Sequence, residues 1–72
     1  MSVNDALRIV DSIIDSMRAR INYLSDDLRY ELRAYRRARL RKLIAEFNEL
    51  LRGWESFRAS LVSNHAIGQG IQ

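Results

Sequence analysis

Arg29, Arg33, Arg37 and Arg41 recur at every fourth position of this 72-residue chain. On a continuous α-helix they form one row, with neighbours about 6 Å apart. Like charges at that spacing repel by about 0.3 kcal/mol per pair. Local helix stability does not select such a row, so it points to a partner outside the helix. The chemistry on offer is forked hydrogen bonding to phosphate or carboxylate, for which arginine is the usual residue. Arg36 lies beside the row, and the candidate contact with an anionic partner or nucleic acid is Arg29, Arg33, Arg36, Arg37 and Arg41. The row spans about 18 Å, enough for several phosphates of one strand. The sequence contains no base-reading module, so binding to nucleic acid would be largely non-specific.

Residue types for catalysis are scarce. Asp11 and Asp15 share a helix face, and paired carboxylates can transfer protons or hold a metal. Arg8 and Arg18 stand three residues from them, which reads as a solvated ion-pair face. There is no cysteine, and the single His65 cannot build a metal site alone. There is no glycine-rich phosphate loop. The expectation is a non-enzyme with no catalytic, cofactor-binding or metal residues and no cofactor.

The net charge of +3 conceals an asymmetry. Residues 29–42 hold seven basic groups against Glu31, a local net of +6. Residues 1–28 carry a net of −2 and residues 43–72 a net of −1. Eleven of the twelve basic residues are arginine, which a base-composition bias in the encoding genome would also produce.

The elements that carry these charges are helices. Proline is absent, and Gly53 is the only glycine before residue 68. No stretch alternates with the period of a strand. The fold class is all-α: a helical hairpin with a long second helix, packing as a coiled-coil-like homo-oligomeric bundle. Helix 1 is expected at about residues 4–24, with Ser2 or Asn4 as its cap. Its apolar residues Leu7, Val10, Ile14, Met17, Ile21, Leu24 and Leu28 alternate steps of three and four, a heptad seam widened by Ile13. Ser25-Asp26-Asp27 are cap and first-turn residues, so the turn is expected at about 25–27. One continuous helix is the rival, because neither glycine nor proline enforces a break.

Helix 2 is expected at about 26–63, some 55 Å long, with Asn64 as its C-terminal cap. It carries a second seam of Leu40, Leu43, Phe47, Leu50, Trp54, Phe57 and Leu61, flanked by Ile44 and Leu51. Residues 1–63 form a single hairpin domain, and residues 64–72 form a flexible tail in which Ile67 and Ile71 could anchor. In this arrangement Leu28, Leu32 and Tyr35 face helix 1. Asp15 comes level with residues 36–37 and Asp11 with residues 40–41. Helix 2 then outruns helix 1, and its second seam is left for another subunit. In the competing monomeric arrangement, helix 1 slides along and covers part of that seam.

A chain of this size buries only about 60% of its unfolded surface and usually needs a staple. Without disulfides or a metal, oligomerisation is the one that remains. No apolar run approaches the roughly 20 residues of a membrane span, and the N-terminus lacks the form of a secretory signal. The expected location is the cytoplasm or a particle assembled there. In general character the pattern compares with basic helical hairpins that dimerise into four-helix bundles, without a residue-level match. The leading expectation is a structural or adaptor subunit of a larger assembly, such as a phage or virus particle or a secretion apparatus. Its partners would be copies of itself and proteins with acidic surfaces. The alternative is a small nucleic-acid-binding regulator using residues 29–42, and the third is a small helical inhibitor of a protein target. A membrane partner ranks low, because the strongest apolar stripe starts where the arginines end.

Overall fold

The computed structural model describes residues 2–71, with side chains described for residues 2–64. Two helices make up this length: α1, Val3–Tyr30, and α2, Ala34–Ile71. They pack against each other as a hairpin, with no strand among the described residues. The molecule is a rod of 59 × 16 × 15 Å.

Helix α1 starts where Ser2 caps it. The Ser2 hydroxyl accepts the Asp5 N–H at 3.2 Å, and Asp5 places a carboxylate at the positive end of the helix dipole. The heptad seam becomes the packing face. Val10, Ile14 and Leu24 are buried, and Leu7, Met17, Ile21 and Leu28 are half-buried. Those three are the only buried apolar residues among those described, and none is fully buried, so the hairpin alone has a thin core.

The turn lies at Glu31-Leu32-Arg33, not at residues 25–27. Helix 1 therefore runs six residues past its expected end at Leu24. Ser25, Asp26 and Asp27 are exposed on α1, and their capping potential goes unused. The reason is the seam itself: stopping at Leu24 would strip Leu28 of its place against α2. The chain leaves the helix at Glu31 with φ −79° and ψ 126°. The Glu31 N–H still reaches the Leu28 carbonyl, while its carboxylate accepts the Arg33 N–H at 3.0 Å. Glu31 thus closes one helix and starts the other. The continuous-helix rival does not hold, because the chain breaks at residues 31–33 and α2 folds back against α1.

At its far end α2 continues to Ile71, past the expected boundary at Ser63 and the expected cap at Asn64. No proline intervenes and no described residue has positive φ, so nothing there closes the helix with a left-handed cap. The tail expected over residues 64–72 is helical as far as Ile71. The anchoring roles suggested for Ile67 and Ile71 concern side chains outside the described residues.

The register also differs from expectation. Asp11 pairs with Arg58, and Arg18 pairs with Glu55 at 2.8 Å. Asp11 and Asp15 therefore lie far from residues 36–41. With its turn at 31–33 and 28 residues of its own, α1 lies alongside α2 as far as Arg58. The second seam as far as Phe57 therefore lies alongside helix 1, and only the last part of the 38-residue α2 outruns the 28-residue α1. The inner face of α2 is made by Arg37, Leu40, Ile44, Leu51 and their half-buried neighbours. Leu32 and Tyr35, expected against helix 1, are exposed instead.

Candidate functional site

Two surfaces emerge, one at the turn and one along the side of the rod. At the turn, the helix break dissolves the arginine row. Arg29 sits in the last turn of α1, where its charge suits the negative end of that helix. Arg33 lies in the connection, and Arg36, Arg37 and Arg41 lie on α2.

Arg37 faces inward. Its guanidinium donates to the Leu28 carbonyl at 3.1 Å and to the Glu31 carbonyl at 2.9 Å. These are carbonyls at the end of α1, where the last turn offers Leu28 only the 3.4 Å bond from the Glu31 cap N–H. Arg37 is therefore a structural clamp and not an open anion contact. No sequence signal distinguished it from Arg33 or Arg41, because its role depends on where the helix breaks.

Arg36 stands 3.9 Å from the Glu31 carboxylate. The guanidinium groups of Arg33 and Arg36 beside Tyr35 hold its phenol below its usual value. Among the described residues, Arg29, Arg33, Arg39, Arg41 and Lys42 make no ion pair. Of the five expected contact arginines, Arg29, Arg33 and Arg41 keep their charge open. Arg39 and Lys42 join them through the same local excess of basic residues. A shallow depression on this end is lined by Asp27, Glu31, Tyr35, Arg36, Arg39, Leu40 and Leu43.

The side surface comes from the second seam, which the hairpin divides. Leu40, Leu43, Phe47, Trp54 and Leu61 are half-buried. Leu50 and Phe57 stay 53% and 49% exposed. Trp54 and Phe57 meet edge to face, with ring centroids 6.0 Å apart at 86°. Leu50, Gly53, Trp54 and Phe57, with Glu49, line an open apolar depression. Phe47 shares a second depression with Ile13 and Met17, so part of α1 borders the same side.

Gly53 lies in the middle of this surface and in the interior of α2. Its φ is not positive, and a Cβ added there would meet nothing within 4 Å. Neither backbone geometry nor packing within the hairpin requires glycine, which costs about 1 kcal/mol relative to alanine in a helix.

The described residues bring no three His, Cys, Asp or Glu side chains together as a metal-ligand group. No helix among them is long and apolar enough to cross a membrane. Asp11 and Asp15 line one shallow depression with Arg18, Glu55 and Arg58, where Asp11 is engaged by Arg58. Comparison with protein-family models, with curated proteins and with solved structures matches none of them to this chain.

Proposed function

We propose that this chain is a non-enzymatic structural or adaptor module. It self-associates through the side of the hairpin and offers its basic turn end to an anionic partner. The observation that carries the reading is the open apolar surface around Gly53. Leu50 and Phe57 are half exposed there, beside a glycine whose small size serves nothing inside the hairpin. A close-packing second copy would use that space, since glycine in a helix admits another backbone or a large side chain. The thin core supports the same conclusion, because small folds without disulfide or metal draw stability from association. The interface proposed is Leu50, Trp54 and Phe57 with Leu43 and Phe47 at its edge; Leu40 and Leu61 contribute mostly within the hairpin.

The turn end favours a second reading, a nucleic-acid-binding regulator. Arg29, Arg33, Arg39, Arg41 and Lys42 supply unpaired charge there, and neutralised phosphates would make binding strongly salt dependent. The straight row that would follow a strand is broken in the hairpin, which favours the adaptor reading.

The two surfaces are separable by experiment. Phe57→Glu is expected to end self-association while leaving retention on a polyanion such as heparin. Arg33→Glu with Arg41→Glu is expected to do the reverse. Loss of both properties in either variant would contradict the division of roles.

A further inference from the structure

The turn end carries an apolar group of its own, distinct from the side surface. Leu32 is 93% exposed, Tyr30 77% and Tyr35 66%. The hairpin makes no use of Leu32, and a polar residue would serve the connection equally well. Around this apex stand Arg29, Arg33 and Arg36, with Arg39 about one and a half turns into α2. The acid within the turn, Glu31, is directed into the structure, accepting the Arg33 N–H and facing Arg36. Asp26 and Asp27 lie roughly a helical turn back from the apex, and Asp27 lines one depression with Arg39.

We propose that this end docks on an anionic lipid surface. Leu32 enters the acyl boundary, Tyr30 and Tyr35 rest at headgroup depth, and the surrounding arginines meet lipid phosphates and carboxylates. The proposal rests on the turn end being an anionic contact, and it names the partner.

Three features select lipid over nucleic acid. An aliphatic side chain at the apex has no base to stack on, but it gains by leaving water for hydrocarbon. Tyrosine favours the membrane interface, where its ring is covered and its hydroxyl stays wet. The basic groups come from the end of α1, the connection and the start of α2, at one end of a rod 16 × 15 Å across. Each basic residue near an anionic membrane adds to the attraction. The contact is peripheral, and the rod stands on the surface through its turn. Self-association would bring several turn ends to one membrane and raise the avidity.

The test is co-sedimentation of the full chain with phosphatidylcholine vesicles, with and without phosphatidylserine. Single- and double-stranded DNA are measured in parallel by fluorescence anisotropy. The expected result is binding to the phosphatidylserine vesicles alone, weakened by salt. Leu32→Ser is expected to weaken it about tenfold with unchanged helicity. Failure to bind these vesicles, or binding that Leu32→Ser leaves unaltered, would overturn the proposal. Arginine-dependent binding to DNA without binding to vesicles would overturn the lipid assignment and leave the anionic contact standing. Binding to neither would remove both.

Discussion

The Arg37 guanidinium donates a 3.1 Å hydrogen bond to the backbone carbonyl of Leu28, and so fastens the start of α2 to the end of α1. The same group reaches the Glu31 carbonyl at 2.9 Å. A positive charge at a helix C-terminus is favourable in itself, and the two bonds supply donors to carbonyls at that terminus. Arg37→Ala is expected to cost about 1–2 kcal/mol, because it leaves the Glu31 carbonyl without a donor and the Leu28 carbonyl with only the long bond from the Glu31 N–H. Arg41→Ala is expected to change stability by less than about 0.5 kcal/mol. Thermal unfolding followed by circular dichroism compares the two.

Gly53→Ala separates the stability of the hairpin from the assembly of copies. The added methyl meets nothing within 4 Å, so the hairpin has room for it. Helix propensity then favours alanine by about 1 kcal/mol. The expected outcome is a more helical chain that associates more weakly. Circular dichroism at low concentration reads the first effect and sedimentation the second. Stabilisation with unchanged association would show that Gly53 does not lie at the contact.

The ion pairs that cross between the helices contribute little. Asp11–Arg58 and Arg18–Glu55 are both substantially exposed, and such pairs are usually worth under about 1 kcal/mol. Asp11→Asn and Glu55→Gln are expected to lower the unfolding free energy by less than that, with smaller effects still at high salt. A loss above about 2 kcal/mol in urea titration would show that they hold the register.

Tyr35 reports on the turn end. Arg33 first, then Arg36, favours its phenolate and lowers its pKa from the ordinary 10.0. The sign follows: the stabilisation is fully present above the unfolded value and is lost as pH falls through the lowered folded value. Ultraviolet titration of the chain carrying Arg33→Ala and Arg36→Ala is expected to show the Tyr35 transition moved to higher pH. An unmoved transition would mean that these guanidinium groups do not face the phenol.

The all-helical hairpin was legible because apolar spacing is a direct physical record of a packing face. The seam from Leu7 to Leu28 is the face that α1 buries. That seam also held the position of the turn, since it ran through Leu28, beyond the capping residues at 25–27. Local cap chemistry at Ser25 and Asp26 lost to the burial of Leu28. The second seam was legible as apolar but not as divided, because Leu40 and Leu50 share a heptad pattern while only one meets α1. Ile44 and Leu51, read as flanks, lie on the inner face. The role of Arg37 was hidden for another reason. A residue that bonds to backbone carbonyls in a different helix leaves no mark in its own spacing.

Sedimentation equilibrium of the native chain beside Phe57→Glu addresses self-association through the side surface most directly. Phe57 is half exposed in the hairpin, so the substitution leaves the fold in place. The expected result is a native mass that is a multiple of the 8.4 kDa chain, and a single-chain mass for the variant. A native chain that sediments as a monomer at concentrations of about 100 μM, which detect even weak association, would contradict the account. So would an oligomer that Phe57→Glu leaves intact.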